Sequence, residues 1–291
     1  MTDRSLSTHR MNLAKALSEA PTAPDDVLPG LPVGTVGALV APGGTGKTMF
    51  AFGLAVELAC GKPWLRQSLG MNVKQACVPQ PVAMVVAEES EAEMHRRLWR
   101  ILESMLPAGS KALSVREEMR ELLQRHLCVY PIAGRLRLRL DEEGSPGDLK
   151  ALSTIAQGKR MLILDPLRQL HGADENSSSA MTDIVQKLQT IATRQLCAVL
   201  VCHHANKLST VAGTGHHASA SRGAGAFTDA VRWQVNLSDV DDGFARRYGL
   251  NEKQRALHVR LDLAKANYIG PQQPAVLRHS GNGALVPVPF K

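Results

Sequence analysis

The chain has 291 residues, of which 44% are hydrophobic and only 4% aromatic, and its formal net charge is +7. That length and hydrophobic content favour one large α/β core with additions, whereas the few aromatic side chains leave little surface on which nucleic-acid bases could stack. There is no apolar run long enough to span a membrane and no signal sequence, so we expect a cytoplasmic protein without a membrane partner. The basic charge is compatible with a nucleic-acid partner but does not establish one.

The five cysteines do not indicate a metal site. They form no CxxC pair and occur mainly in apolar surroundings, so we expect reduced thiols. Several cysteines and histidines near residue 200 offer zinc ligands on paper, but their spacing does not match a zinc finger. The residues concerned are Cys197, Cys202, His203, His204, His216 and His217.

Residues 1–32 differ in character from the rest of the chain. A short amphipathic segment around Leu13 and Leu17 is followed by a proline-rich stretch that prevents a continuing helix. This pattern predicts an N-terminal arm, followed by one core domain at residues 33–291. The arm is too short to bury its own apolar stripe. It must therefore pack either on the core of its own chain or on a neighbouring subunit, and the sequence leaves both alternatives open.

The most informative stretch is residues 37–50, GALVAPGGTGKTMF, in which an apolar run leads through a glycine-rich loop into a helix-compatible segment. Small residues allow backbone N–H groups to converge on an anion at a helix N-terminus. The pattern predicts a P-loop in which Lys47 reaches the β- and γ-phosphates and Thr48 binds Mg²⁺. This pattern usually begins with glycine, and here Ala41 takes that position. The predicted phosphate cradle consists of Gly43, Gly44, Thr45 and Gly46.

Three later apolar runs end in polar side chains. PVAMVVAEES ends on Glu88 and Glu89, MLILD ends on Asp165, and LCAVLVCHH ends on His203 and His204. An apolar run that ends in Asp is a weak signal alone but a strong one downstream of a P-loop, where it predicts a Mg²⁺ ligand opposite Thr48. Because successive strand side chains point to opposite faces, only one of the two histidines is expected to face the nucleotide.

Residues 135–140 read RLRLRL, and this alternation predicts a strand with Arg135, Arg137 and Arg139 on one face. The arginine face either contacts phosphates or guards a solvated edge strand, and the second interpretation is favoured. Helices are predicted at about residues 91–106, 114–126, 147–157 and 181–194.

Residues 208–226 are small, polar and glycine-rich, and Arg222 is their only strong charge. Loops of this length inside a compact domain are either functional or disordered. Beyond them, the sequence predicts a strand at VRWQVNL, a short helix, a longer strand that contains Lys265, and a hairpin with a Gly-Asn-Gly turn.

The order of these elements resembles that of RecA-fold ATPases, in particular the DnaB-like hexameric helicases. A more specific resemblance, from about residue 10 to residue 288, is to the RepA-type replicative helicases of broad-host-range mobilisable plasmids. Six motifs carry it in the same order: PGGTGKT, AEES…HRRL, LILDPLRQLH…EN, VCHHANK, ASRGAG…VRWQ and AKANYIG.

The resemblance implies an α/β fold with a RecA-like P-loop core. In this fold a mainly parallel sheet is flanked by helices, and antiparallel strands and a hairpin lie at the C-terminal edge. It also implies a ring-shaped homohexamer that uses ATP and Mg²⁺ to move along single-stranded DNA and unwind duplex during plasmid replication. A plasmid replication initiator or a primase is the further partner that it implies.

The resemblance also assigns roles to residues. Glu88 is the general base, for which its spacing to Arg97 matches the family better than that of Glu89, and Asp165 is the Walker B acid. His204 or His203 is the γ-phosphate sensor. Arg222 is the arginine finger and Lys265 a second basic residue presented to the neighbour's nucleotide. DnaB-type helicases carry Lys-x-Arg where this chain has Lys-Ala-Asn at 265–267, which is why Arg222 becomes the candidate finger.

Two other classes of protein use a P-loop. A RecA-fold ATPase with a regulatory, non-motor role is the alternative, and stimulation of ATP hydrolysis by single-stranded DNA would separate it from a motor. A small-molecule or nucleoside kinase gives no reason for Arg222 and Lys265 to follow the last core strand.

Overall fold

A computed structural model describes residues 10–70, 77–106, 109, 112–141, 146–205, 215–220 and 224–288. Arg222 and most of the glycine-rich stretch at 208–226 lie outside these residues. The helices are α1 (Leu13–Ser18), α2 (Lys47–Cys60), α3 (Glu91–Met105), α4 (Ala112–His126), α5 (Pro146–Ala156), α6 (Ser178–Gln195), α7 (Ala224–Ala230), α8 (Asp242–Arg247) and α9 (Glu252–Arg255). The helices predicted at about 91–106, 114–126, 147–157 and 181–194 are confirmed, with boundaries that differ by at most three residues.

The described residues form a nine-stranded sheet. Its strands are β3 (Val36–Ala41), β4 (Val82–Val86), β5 (Leu127–Pro131), β6 (Met161–Asp165), β7 (Ala198–His204), β8 (Trp233–Asp239), β9 (His258–Ala266), β10 (Ala275–His279) and β11 (Leu285–Pro287). Their order in the sheet is β11-β10-β9-β8-β3-β7-β6-β4-β5. The strands from β8 to β5 in this order run parallel, whereas β9, β10 and β11 are joined to β8 by antiparallel pairing. This arrangement confirms the predicted α/β fold class.

Helices cover both faces of the sheet. The first core contains buried residues of α2, α3 and α4, and the second contains buried residues of α5, α6 and α7. Strand alternation assigns each side chain to one core, so that Ile163 of β6 lies in the first and Leu162 and Leu164 lie in the second. No helix in the described parts of the chain is long and apolar enough to cross a bilayer.

The N-terminal residues divide into two parts. α1 has no buried residue. By contrast, β1 (Asp26–Leu28) and β2 (Leu31–Pro32) form a separate two-stranded sheet that packs into the first core. The Arg160 guanidinium clamps this part through two hydrogen bonds of 2.6 and 2.7 Å to the Asp25 carboxylate, and this contact lowers the Asp25 pKa.

The prediction of a strand at residues 135–140 is wrong. The chain turns at Ile132 after β5 and leaves the sheet, so that β5 itself is the edge strand. Leu138 and Leu140 are buried in the second core, whereas Leu136 is exposed. Alternate burial therefore arises without strand pairing, because an extended segment that crosses the sheet edge also presents every second side chain to the core.

Candidate active site

The carboxyl ends of the parallel strands bring the predicted catalytic groups to one edge of the sheet. In the strand registers, Ala41 at the end of β3 lies opposite His204 of β7, and Val86 at the end of β4 lies opposite Asp165 of β6. β3 has parallel neighbours on both sides that are distant in sequence, which is the position where open α/β sheets bind ligands. The P-loop between β3 and α2 lies at this position.

The P-loop backbone leaves space on its outer side. Gly44 and Gly46 have left-handed φ angles of 82° and 96°, which favour glycine. A Cβ atom added at Gly43 or Gly44 would meet nothing within 4 Å, whereas one added at Gly46 would lie 2.9 Å from the Leu285 side chain. The loop is therefore open where it would hold phosphates and closed where it packs on the C-terminal hairpin formed by β10 and β11.

Lys47 and His204 meet beside this loop. Lys47 is buried at the first position of α2, and its Nζ lies 3.4 Å from Nε2 of His204. His204 is thus on the same side of the sheet as the P-loop. An ammonium group and an imidazole at the helix N-terminus form a site that suits an anionic ligand.

Asp165 is 2% exposed, and among the described residues neither of its carboxylate oxygens has a hydrogen-bond partner at normal geometry. Burial raises the Asp165 pKa, while the charge of Lys47 and the Thr48 hydroxyl act in the opposite direction. A buried carboxylate is stable when a cation accompanies it. Mg²⁺ prefers oxygen ligands, and the Asp165 carboxylate and Thr48 hydroxyl supply them, so these residues fit a Mg²⁺–nucleotide.

The two adjacent glutamates have different partners. Glu89 forms an ion pair with Arg97 at 2.6 Å between Oε1 and Nη2. Glu88 instead accepts a hydrogen bond of 3.0 Å from Nε2 of Gln169, and its charge contributes to the raised Asp165 pKa. Of the two carboxylates, the one electrostatically coupled to Asp165 is therefore that of Glu88.

His203 points to the opposite face of the sheet. It is fully buried, its ring centroid lies 4.6 Å from that of Phe227 in α7, and its Nδ1 lies 4.0 Å from Oε1 of Glu175. The geometry therefore places His204 beside the P-loop and His203 in the second core.

Lys265, another predicted site residue, is not brought to the P-loop of the same chain. Lys265 donates hydrogen bonds of 2.7 and 3.3 Å to the Thr228 and Asp229 carbonyls at the C-terminal end of α7, and burial lowers the Lys265 pKa. Arg222 lies outside the described residues, two positions before α7 begins. Lys265 thus braces the helix that directly follows the predicted finger.

Sequence reasoning missed two side chains near the site. Gln169 lies in a short 3₁₀ turn, Leu167–Leu170, directly after β6, and it contacts Glu88. Cys202 is a core residue as predicted, and its side chain also lies beside Asp165; burial raises the Cys202 pKa well above its ordinary value. Gln169 could have been found from its position, because it follows closely after the strand that ends in Asp165. Nothing in the sequence distinguishes Cys202 from the other core cysteines.

Comparison with known proteins gives a family and a fold. The model of a family described as an AAA domain matches residues 4–210. A solved structure of an ATPase domain superimposes with a TM-score of 0.62 and 14% identity, covering 99% of this chain and 100% of that one. A DnaB-like replicative helicase, a protein that interacts with primase, gives the same TM-score and identity and covers 99% of this chain and 69% of that one. The shared architecture is that of a RecA-like ATPase domain.

Proposed function

The chain belongs to the AAA domain family, and from that premise we propose that it is an ATP-dependent helicase that moves along single-stranded DNA. The observation that carries the proposal is the convergence of Lys47, Asp165 and His204 beside the P-loop, with Glu88 close to Asp165. Phosphoryl transfer needs this kind of site, because its catalysis rests on positioning and charge stabilisation. The fold shared with DnaB-like helicases supports unwinding as the work that hydrolysis drives.

The chain's own residues divide the catalytic tasks. The P-loop N–H groups and Lys47 bind the β- and γ-phosphates of ATP, and Asp165 and Thr48 hold Mg²⁺. When bound, Mg²⁺ neutralises charge on the phosphate oxygens. Glu88 orients the attacking water and accepts its proton. His204, next to Lys47, senses the γ-phosphate.

A ring of six chains would complete the site. Arg222 acts as an arginine finger on the nucleotide of the neighbouring subunit, a contribution of about 10³ to 10⁵ in rate. Lys265, whose ammonium donates to the Thr228 and Asp229 carbonyls within one chain, is the second basic residue that we assign to the same nucleotide. In this assembly residues 33–291 are the ATPase domain and residues 1–32 are an arm. β1 and β2 of this arm pack on the core of the same chain, and its earlier part packs on that core or on the adjacent subunit.

The biological setting follows from the resemblance to RepA-type helicases. We place the protein in plasmid replication in the cytoplasm, with a plasmid replication initiator or a primase as its protein partner. The interaction of the DnaB-like relative with primase supports the second of these partners.

Unwinding of a tailed duplex, measured together with ATP hydrolysis, tests the proposal. We expect single-stranded DNA to stimulate hydrolysis and the protein to separate the duplex, and Lys47→Ala to abolish both activities because the phosphate contact is lost. A rate of ATP hydrolysis that DNA does not change at any salt concentration would favour the regulatory RecA-fold ATPase. Transfer of phosphate to a small molecule would identify a kinase instead.

A further inference from the structure

We propose that Gln169 restrains the general base Glu88, and that a phosphate of single-stranded DNA releases this restraint by binding in an adjacent cleft that contains Arg135 and Arg137. The inference rests on the proposed function and adds a DNA contact and a route by which that contact stimulates hydrolysis. Gln169 is a positioning residue in this scheme, since it acts through Glu88.

The restraint is a single hydrogen bond between two exposed side chains. Nε2 of Gln169 donates to Oε1 of Glu88 at 3.0 Å. A carboxylate that orients water must direct its oxygens toward that water, and a bond from Gln169 occupies one of them. Because both side chains are exposed, the bond is weak enough for a competing ligand to replace.

Gln169 also lines a cleft of about 490 Å³, formed with Ala87, Ile132, Gly134, Arg135, Leu136 and Arg137. The Gln169 side chain therefore connects the general base with a basic concave surface. The Gln169 amide can turn and donate its N–H groups to a phosphate oxygen in the cleft in place of the Glu88 carboxylate.

The arginine segment is held firmly against the turn that carries Gln169. Leu138 and Leu140 are buried in the second core. The Leu140 N–H donates to the carbonyl of Leu170, next to Gln169, at 2.7 Å, and the Leu140 carbonyl accepts from Nζ of Lys187 at 3.1 Å. A ligand that binds the arginine segment thus meets a fixed surface with Gln169 at its border.

The charges of the cleft favour a phosphodiester chain. Arg139 is occupied by an ion pair with Asp141. Arg135 pairs with Glu91 at 3.2 Å, but both side chains are about two-thirds exposed, so this pair is easily exchanged. Arg137 is exposed and has no ion pair within the described parts of the chain. Leu136, exposed between the two arginines, offers an apolar contact to a sugar.

Two variants separate the restraint from the DNA contact. Gln169→Leu keeps the side-chain size and removes the donor, so its kcat without DNA should rise about fivefold while its KM for ATP stays the same, and DNA should add little.

Arg137→Gln should raise the Kd for a fluorescent oligothymidylate and reduce the slope of log affinity against log salt by about 0.7. Gln157→Leu and Arg125→Gln, which change exposed residues outside the cleft, are matched controls that should behave as the unaltered protein.

Each result decides the inference. An unchanged kcat without DNA and full DNA stimulation in Gln169→Leu would overturn it, as would oligothymidylate binding by Arg137→Gln equal to that of Arg125→Gln. A loss of turnover in Gln169→Leu, with thermal unfolding and ring size unchanged, would show that the amide assists the base and would also overturn it. Absence of DNA stimulation in the unaltered protein counts against the helicase proposal, whereas the rate of Gln169→Leu without DNA still tests the restraint.

Discussion

Adjacent residues at the ends of two strands have different surroundings. Glu88 is coupled to Asp165, whereas Glu89 is held by Arg97. We predict that Glu88→Gln retains ATP binding and loses about 10²- to 10⁴-fold in turnover, because the amide keeps the size of the side chain but cannot accept the proton. Single-turnover hydrolysis, combined with a nucleotide-binding titration, measures both quantities.

Glu89→Gln is the matched control for this prediction. It weakens one ion pair on α3 and leaves the Glu88 carboxylate in place, so turnover should fall by a much smaller factor. Loss of turnover in Glu89→Gln with normal hydrolysis in Glu88→Gln would reverse the assignment of the general base.

Alternation within a strand predicts that two adjacent histidines face opposite sides, but not which of them faces the nucleotide. The choice depends on how β7 aligns with β3 and β6. Ile163 and Cys202 share the first core with α2, so Asp165 and His204, each two residues further along its strand, lie on the side of the P-loop. His203 has the opposite parity and packs against Phe227. This pairing is a tertiary property, which a local pattern does not contain.

At the scale of elements, motifs with a strong local cause were predictable. The P-loop and the buried strands have a characteristic local composition, and the amphipathic helices have a characteristic hydrophobic periodicity, so the sequence predicts each of them. Residues 135–140 show why the same reasoning failed once. Buried Leu138 and Leu140 give a period of two, but the backbone groups of a strand also need a neighbouring strand, and the chain has already turned away from β4 at Ile132.

A buried carboxylate within α2 fixes the segment that follows this helix. Glu57 is fully buried, accepts hydrogen bonds from the Trp64 and Leu65 N–H groups at 2.9 and 2.7 Å, and pairs with Arg66 at 2.9 Å. We predict that Glu57→Ala lowers the free energy of unfolding by about 3–5 kcal/mol, because the Arg66 charge would remain buried without its partner. Urea denaturation followed by circular dichroism measures this change.

Glu118→Ala provides the comparison. Its ion pair with Lys62 has a distance of 3.1 Å, close to the 2.9 Å of the pair between Glu57 and Arg66, but the Glu118 side chain is 55% exposed. The cost should therefore be about 0–1 kcal/mol. An equal decrease in the free energy of unfolding in the two variants would contradict the claim that burial makes the ion pair of Glu57 more important for stability.

At the scale of the whole molecule, one chain holds the nucleotide-binding side of the site but not all of its predicted charges. The P-loop, Asp165 and His204 converge around β3, β6 and β7, whereas Lys265 is bound to the end of α7 on the far side of β8. In the sequence, α7 begins two positions after Arg222, and Lys265 holds the C-terminal end of this helix. The separation of Lys265 and α7 from the P-loop is the arrangement expected if this part of the chain serves the nucleotide of a neighbouring subunit.

Mixing of two inactive variants tests that arrangement. Arg222→Ala should form normal rings and bind ATP almost normally, yet hydrolyse it about 10³- to 10⁵-fold more slowly, since it lacks only the charge that stabilises the transition state. Lys47→Ala should assemble but lose its own phosphate contact. In a mixed ring, a site between an Arg222→Ala subunit that supplies the P-loop and a Lys47→Ala subunit that supplies the finger is complete. We therefore predict that hydrolysis reappears on mixing, measured as phosphate release against the mixing ratio, with a maximum near equal amounts.

The controls in this experiment define what the recovery means. Each variant mixed with itself should stay inactive, and the doubly substituted Lys47→Ala/Arg222→Ala chain should rescue neither, because it can complete no interface. Size-exclusion chromatography with light scattering must show rings in every mixture. If the rings form and no mixture recovers activity, Arg222 does not act across the interface, and its role is confined to its own subunit or to the fold.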